Sequence, residues 1–166
     1  MNKLLILLIA FVSALVFALP EDSKQPIEIE AQLVIVDETT GFNEFSGNVV
    51  VRQGSLLLSA EHIQVQTNNE EVVSMVAKGS LEKPAKYIQS QENQARFVEA
   101  TATQITYDVE EGMIFLVGNA RLVQGFDSFS GDTLNYDIDN DKVFIKGSED
   151  DTKDFSPKRV KFKIVL

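Results

Sequence analysis

Residues 45–65, FSGNVVVRQGSLLLSAEHIQV, decide the fold of this chain. Val49 and Val51 share one face of the first half of this stretch, and the polar Arg52 lies on the other. A Gln-Gly-Ser turn follows at 53–55, and its glycine can adopt a positive φ. Alternating apolar and polar residues around a tight turn predict a β-hairpin.

The same pattern recurs 71 residues later. Residues 116–136, LVGNARLVQGFDSFSGDTLNY, match residues 45–65 without a gap. The identical pairs are Gly47 with Gly118, Asn48 with Asn119, Gln53 with Gln124, Gly54 with Gly125 and Ser59 with Ser130. The repetition predicts an internal duplication with copies at about 27–80 and 98–147, each a meander of short strands.

The chain begins with a short positive stretch, Met1 to Lys3, followed by an apolar run from Leu4 to Ala18. A run of this length falls short of the ~20 residues of a bilayer-spanning helix. Residues 1–18 are therefore predicted to be a cleaved signal peptide, which leaves residues 19–166 as a single domain outside the cytoplasm. The alternative is that the apolar run is retained as a single-span anchor.

Short alternating segments separated by turns continue to the last residue, and no helical stripe interrupts them. The chain is therefore predicted to be all-β. The apolar faces must meet in a sandwich or rolled sheet about 10 Å across. The residues expected on these faces are Ile27, Ile29, Val34, Val36, Val49, Val51, Leu56, Leu58, Ile63, Val65, Ile105, Tyr107, Leu116, Leu122, Phe129, Leu134 and Tyr136.

The strands nearest the two ends contain no proline that would block their edges. Unpaired backbone groups at such edges need partners, and pairing one end with the other between molecules builds a filament. Glutamates on the first strand and lysines on the last would add opposite charges across this joint. The predicted interface residues are Ile27, Glu28, Ile29 and Glu30 at one end, and Val160, Lys161, Phe162, Lys163 and Ile164 at the other.

The sequence contains no positive sign of an enzyme. His62 is the only histidine and there is no cysteine, so a multi-histidine metal site and thiol chemistry are excluded. Ser80 and Lys83 form an isolated S-x-x-K pattern, which is weak without its partner motifs. Residues 137–141, DIDND, resemble a calcium loop, but Lys142 stands where that loop needs glycine. The net charge of −10 argues against nucleic acid, and no cofactor or metal is expected.

Several motifs together resemble the LptA family of periplasmic lipopolysaccharide-transport proteins, which has the OstA-like fold. The resemblance covers essentially all of the chain after the apolar run, in order and with the same duplication. The motifs are QPIEIEA at 25–31, FSGNVVVRQG at 45–54, AEHIQV at 60–65, EKPAKY at 82–87, LVGNA at 116–120 and KRV at 158–160. On the residues alone, a filled sandwich and one that opens to admit acyl chains remain equally possible.

The resemblance implies a β-jellyroll of antiparallel strands, open along one side, that stacks head to tail. Such a stack would bridge LptC at the inner membrane and LptD at the outer membrane, with lipopolysaccharide carried by its acyl chains in an apolar groove. The expected lipid-binding residues are Ile27, Ile29, Val49, Val51, Leu58, Tyr87, Leu122 and Phe129. Of these, Ile27 and Ile29 match the paired isoleucines of the groove's first strand, and Tyr87 matches an interior aromatic that is Phe in the family. Glu28, Arg52 and Arg121 are expected to face outward, and a bulge near Ala60 would shift this register.

Two alternatives remain beside this hypothesis. One is an LptC-like component of the same fold that keeps residues 4–18 as a membrane anchor. The other is a jellyroll carbohydrate-active or cupin-type enzyme, which would require a cluster of histidine and carboxylate ligands.

Overall fold

A computed structural model describes residues 22–69, 71–90, 97–146 and 161–163 of the chain. After a 3-10 turn at Asp22–Lys24, every regular element in these ranges is a β-strand, and no helix there is long and apolar enough to span a membrane. The all-β prediction is confirmed. The strands are β1 (Ile27–Glu30), β2 (Leu33–Asp37), β3 (Phe42–Gln53), β4 (Leu56–Asn68), β5 (Glu71–Lys78), β6 (Ala85–Ser90), β7 (Phe97–Ala102), β8 (Gln104–Asp108), β9 (Met113–Gln124), β10 (Asp127–Asp137), β11 (Lys142–Lys146) and β12 (Lys161–Lys163).

The four long strands, β3, β4, β9 and β10, each take part in two layers of antiparallel strands. Residues 42–46 of β3 pair with β2, whereas residues 50–53 pair with β1. Layer A runs in the order β2-β3-β4-β5-β8-β9-β10-β11. Layer B runs in the order β1-β3-β4-β6-β7-β9-β10-β12. The two layers face each other and are joined where the long strands bend.

The bend is built from β-bulges, and we call the line that it forms the crease. Between Ser46 and Val49 the register of β3 against β4 shifts. The two intervening residues have positive φ, 85° at Gly47 and 47° at Asn48. Glycine and asparagine tolerate this backbone region better than other residues do. β3 has one extra residue opposite Glu61. The inward-facing residues of β4 therefore have even numbers on one side of this point and odd numbers on the other, as expected for a bulge near Ala60.

The pairing pattern of the first half recurs in the second half 71 residues later. Ile27 pairs with Gln53, and Val98 pairs with Gln124. The bulge also recurs at the same distance, with φ of 79° at Gly118 and 49° at Asn119. The registers among β1, β2, β3 and β4 therefore recur among β7, β8, β9 and β10.

The core lies between the two layers and is almost entirely aliphatic and aromatic. The buried apolar residues are Val49, Val51, Leu56, Leu58, Ile63, Val65, Met75, Ala77, Ala85, Tyr87, Val98, Ala100, Ala102, Ile105, Tyr107, Ile114, Leu116, Ala120, Leu122, Leu134 and Tyr136. Ile27, Ile29 and Phe129 are partly buried and pack against this cluster.

The prediction that Val34 and Val36 are core residues is wrong. They are 50% and 59% exposed, and Leu33 and Ile35 on the other face of β2 are exposed to a similar extent. Among the described residues β2 pairs with β3 alone, so it is an edge strand of layer A. Alternation in a sequence reports the pleat of a strand, but it does not report whether an opposite layer covers that strand.

Candidate functional site

The side of the molecule opposite the crease is formed by the turns that join the strands, and we call it the mouth. One lip consists of the layer A turns at 38–41, 109–112 and 138–141, and the other includes the layer B turns at 54–55 and 125–126. Aspartates stabilise the layer A turns. Asp37 Oδ1 accepts a hydrogen bond from the backbone N of Thr39 at 2.9 Å, and Asp137 Oδ1 accepts one from Asn140 N at 2.9 Å.

These turn contacts also lower the pKa of two carboxyl groups. The pKa of Asp37 is lowered by hydrogen bonds from Thr40, first through its side chain, and then from the backbone of Thr39. The pKa of Asp137 is lowered chiefly by the backbone hydrogen bond from Asn140. Both carboxylates therefore act as turn-stabilising acceptors.

The eight residues proposed to bind lipid all lie on the inward side of layer B or pack against its core. Val49, Val51, Leu58, Tyr87 and Leu122 are at most 1% exposed, and the other three are partly buried. The residues expected to face outward, Glu28, Arg52 and Arg121, are exposed. The structure thus places the two sets on opposite faces.

Six of the eight form one continuous row across layer B. Adjacent members occupy directly opposed positions on neighbouring strands, from β1 at one end to β10 at the other. The row is Ile29, Val51, Leu58, Tyr87, Ala100, Leu122 and Phe129, and the backbone of Phe162 pairs opposite Phe129. The seven strand spacings from β1 to β12 make layer B about 34 Å wide. This width is measured perpendicular to the strands and parallel to the mouth.

Layer A supplies a matching apolar surface on the other side of the interior. Its central row is Phe45, Ile63, Ala77, Ile105, Leu116, Leu134 and Ile145, again in directly opposed positions. Tyr87 of layer B meets Tyr107 of layer A edge to face, with ring centroids 5.8 Å apart and an interplanar angle of 68°. Burial is the main cause that raises the pKa of both tyrosines, most strongly that of Tyr87.

A chain of polar side chains connects the hydroxyl of Tyr87 to the N-terminal turn. The hydroxyl donates a hydrogen bond to Gln89 Oε1, and Gln89 Nε2 donates to Asp22 Oδ2 at 2.8 Å. Asp22 also accepts hydrogen bonds from Ser55 N at 2.7 Å and from Ser55 Oγ at 2.6 Å. The N-terminal turn is therefore held against the layer B lip.

A second polar link crosses from one lip to the other. Gln124, the last residue of β9 on the layer B lip, donates a hydrogen bond to Asp141 Oδ1 in a layer A turn. The hydroxyl of Tyr136 donates to the same oxygen at 3.0 Å. The equivalent glutamine of the first half, Gln53, donates to the backbone oxygen of Gln25 at 3.1 Å.

These polar residues were missed by sequence reasoning. Gln53 and Gln124 are both only 7% exposed. Their identity at a distance of 71 residues was visible in the repeat, and an amide kept at the last position before each hairpin turn was the available signal. Asp22 carried no such signal, because it lies in the polar segment ahead of the first copy.

The residues considered for chemistry serve local structure. His62 is exposed, with its Nδ1 3.0 Å from Ser46 Oγ. Ser80 Oγ accepts a hydrogen bond from Lys83 N at 3.0 Å within a turn at the crease. Asp137 and Asp141 of the DIDND segment are engaged by Asn140, Gln124 and Tyr136. Across the described residues, no group of three or more His, Cys, Asp or Glu side chains could hold a metal ion.

The predicted end residues fall partly outside the described part of the chain. Ile27, Glu28, Ile29 and Glu30 form β1, which pairs with β3, and Lys161, Phe162 and Lys163 form β12, which pairs with β10. Val160 and Ile164 lie outside the described residues. Arg52 Nη1 lies 3.0 Å from Glu30 Oε1, so this glutamate has an ion-pair partner within its own chain. Layer A contributes two further edge strands that were not anticipated, β2 beside β1 and β11 beside β12.

Comparison with known proteins agrees with this architecture. A family model described as "LptA/(LptD N-terminal domain) LPS transport protein" matches residues 28–142. The lipopolysaccharide export system protein LptA of Escherichia coli K12 is 33% identical over 127 residues, which cover 76% of this chain and 68% of that protein. The corresponding protein LptH of Pseudomonas aeruginosa is 30% identical over 125 residues, covering 75% and 70% of the two chains.

The three-dimensional comparison leads to the same group. The crystal structure of Pseudomonas aeruginosa LptH, titled the LptA homologous periplasmic component of the lipopolysaccharide transport device, superposes with a TM-score of 0.76 at 25% identity. The superposition covers 89% of this chain and 100% of that one. The OstA-like jellyroll expected from the resemblance is thereby confirmed. On the match of sequence and fold, this chain belongs to the LptA/LptD N-terminal-domain family of lipopolysaccharide transport proteins.

Proposed function

We propose that this protein carries lipopolysaccharide through the periplasm by holding its acyl chains between layers A and B. The observation that supports this most directly is the unbroken apolar row across layer B, in which six of the eight residues expected to bind lipid lie side by side. The row crosses layer B from β1 to β10, so it offers a continuous apolar path along the interior.

The energetics of acyl chains favour such a path. Each methylene group taken out of water contributes ~0.8 kcal/mol, so a single chain carries on the order of 10 kcal/mol that release into water would forfeit. A carrier must therefore shield the chain continuously along its route. Shielding of this kind requires apolar surface and no catalytic residue.

Continuous shielding across the periplasm requires several copies in line. We place the joint at the edge strands, β1 and β2 of one copy against β11 and β12 of the next, so that the apolar rows of successive copies join. A contact between two different edges is heterologous and extends into a filament. The partners at its two ends are LptC at the inner membrane and LptD at the outer membrane.

We further propose that residues 1–18 are a signal peptide that directs export and that residues 19–166 form a single domain. An LptC-like anchored component would instead retain residues 4–18. The mass of the protein isolated from the periplasm distinguishes the two, because cleavage near Ala18 removes the whole apolar run.

Site-specific photo-crosslinking tests the groove. A benzophenone side chain at Phe129 replaces an aromatic ring that is partly buried in the row, and it should capture lipopolysaccharide. The same side chain at Arg121, an exposed outward position on the adjacent strand β9, is the matched control and should not. Excess free lipid A should compete with capture at Phe129. Equal capture from both positions would refute binding between the layers.

A further inference from the structure

The apolar interior is closed in this structure, although binding between the layers requires it to open. Val51, Leu58 and Leu122 are 0% exposed, so an acyl chain reaches them only when layers A and B move apart. The long strands join the layers at the crease, where Gly47 and Gly118 have positive φ. The layers can therefore separate only at the mouth, with the crease as the hinge.

One polar contact spans the mouth beside β10 and β11. Gln124 reaches from the layer B lip and Asp141 from the layer A lip, and their side chains are hydrogen-bonded. Tyr136 donates to the same carboxylate oxygen at 3.0 Å. The two donors are buried, at 7% and 1% exposure, whereas Asp141 is exposed. A single solvated carboxylate thus secures two buried donors through charge-assisted hydrogen bonds.

We propose that the hydrogen bond between Gln124 and Asp141, which we call the clasp, holds the mouth shut. Acyl chains enter between the lips when this contact breaks. The inference rests on the proposed lipid-binding function and adds the residue that controls access to the interior. When the contact breaks, the carboxylate of Asp141 is hydrated where it stands, so the lip of layer A can move away. Gln124 is left facing the opening, whereas Tyr136 and Asp141 stay together on the layer A side.

The clasp belongs to the C-terminal half of the molecule. In the first half the equivalent glutamine, Gln53, donates to the backbone oxygen of Gln25 in the N-terminal segment. Tyr136 has Val65 as its counterpart 71 residues earlier, which has no hydroxyl. At these aligned positions, the hydroxyl that donates to Asp141 is thus present in the second copy alone.

The distance between the lips can be measured directly, because the chain contains no cysteine. Spin labels at Phe126→Cys on the layer B lip and Glu110→Cys on the layer A lip occupy exposed turn positions. In the full chain we expect one short, narrow distance distribution. Asp141→Gly should shift it to longer distances, and glycine suits this position because φ at Asp141 is 54°. Asp139→Ala, which removes a carboxylate of the same turn, should leave it unchanged.

A variant on the opposite lip makes the test independent of Asp141. Gln124→Met keeps the volume of the side chain but removes the donor, and it should lengthen the same distance. Thermal unfolding establishes that each variant is folded. Unchanged lip distances in both Asp141→Gly and Gln124→Met would overturn the clasp, whether or not lipopolysaccharide binds.

Binding kinetics then separate the clasp from the proposed function. Loss of a charge-assisted contact should raise the open population, and with it the rate of association with fluorescent lipopolysaccharide, by about tenfold or more. If the lips separate but the association rate with lipopolysaccharide is unchanged or slower, entry between the lips is refuted. Parted lips with no lipopolysaccharide binding by any variant or by the wild type would instead refute the proposed function.

Discussion

Edge strand β2 exposes four consecutive apolar side chains, and a lysine on it should weaken self-association without unfolding the protein. Leu33, Val34, Ile35 and Val36 are 50% to 59% exposed. Full burial of such a side chain contributes about 1.5–3 kcal/mol, so covering the exposed half of all four would contribute roughly 3–6 kcal/mol to a joint between copies. A long exposed apolar edge is otherwise an aggregation hazard.

Val34→Lys is the most informative single change. Val34 stands directly opposite Phe45, which stands opposite Ile63, so Val34 extends this inward-facing row to the edge of layer A. The substitution removes about 1 kcal/mol of burial and places an ammonium group where the next copy would desolvate it. The dissociation constant for self-association should rise by about 10- to 100-fold. The free energy of unfolding of the monomer should change by less than about 0.5 kcal/mol, as is usual for exposed positions.

Sedimentation velocity over a range of concentrations measures the association, and urea denaturation measures the stability. Leu81→Lys is the matched control, since Leu81 is 72% exposed in the turn at the crease, away from the edge strands. It should associate like the wild type. If the dissociation constant of Val34→Lys equals that of the wild type, or if Leu81→Lys raises it equally, the assignment of the joint to β2 is wrong.

Three further changes probe the crease, the tyrosine pair and the core. Gly118→Ala should lower the free energy of unfolding in urea by about 2–3 kcal/mol, because its φ is 79° and the new Cβ would lie 2.1 Å from Thr103 Oγ1; a loss below 0.5 kcal/mol would contradict a strained crease. Burial raises the pKa of Tyr87 above its usual value, so the folded state favours the neutral phenol. Its contribution to stability is present below about pH 10 and is lost as the pH rises through the folded-state pKa. Absorbance at 295 nm should show Tyr87 titrating late, and Tyr87→Phe should reduce the alkaline loss of stability; an unaltered alkaline profile would refute this. Met75→Ala should cost about 2–5 kcal/mol, since Met75 is 0% exposed, whereas Leu81→Ala should cost less than 0.5 kcal/mol in the same urea assay.

Local pattern was enough to establish the strands and the direction of most side chains. Period-2 alternation is a property of the extended backbone, so Val49, Val51 and Leu58 were correctly placed on the inward face without knowledge of their partners. The identities Gly47/Gly118 and Asn48/Asn119 found at 71 residues coincide with the recurring bulge, because both copies carry the same residues where positive φ is required. Family membership likewise followed from motifs that lie in order along the chain.

The coverage of each strand was decided only by the tertiary structure. β2 is as apolar as a core strand, with four apolar residues in succession at 33–36, yet it is exposed, because burial depends on whether another layer lies opposite. For the same reason, the clasp could not be predicted from the sequence. Gln124 and Asp141 are 17 residues apart on different layers, and their contact exists only because the crease brings the two lips together. Periodicity is a local property of the chain, whereas coverage and contacts across the mouth depend on how its distant segments pack.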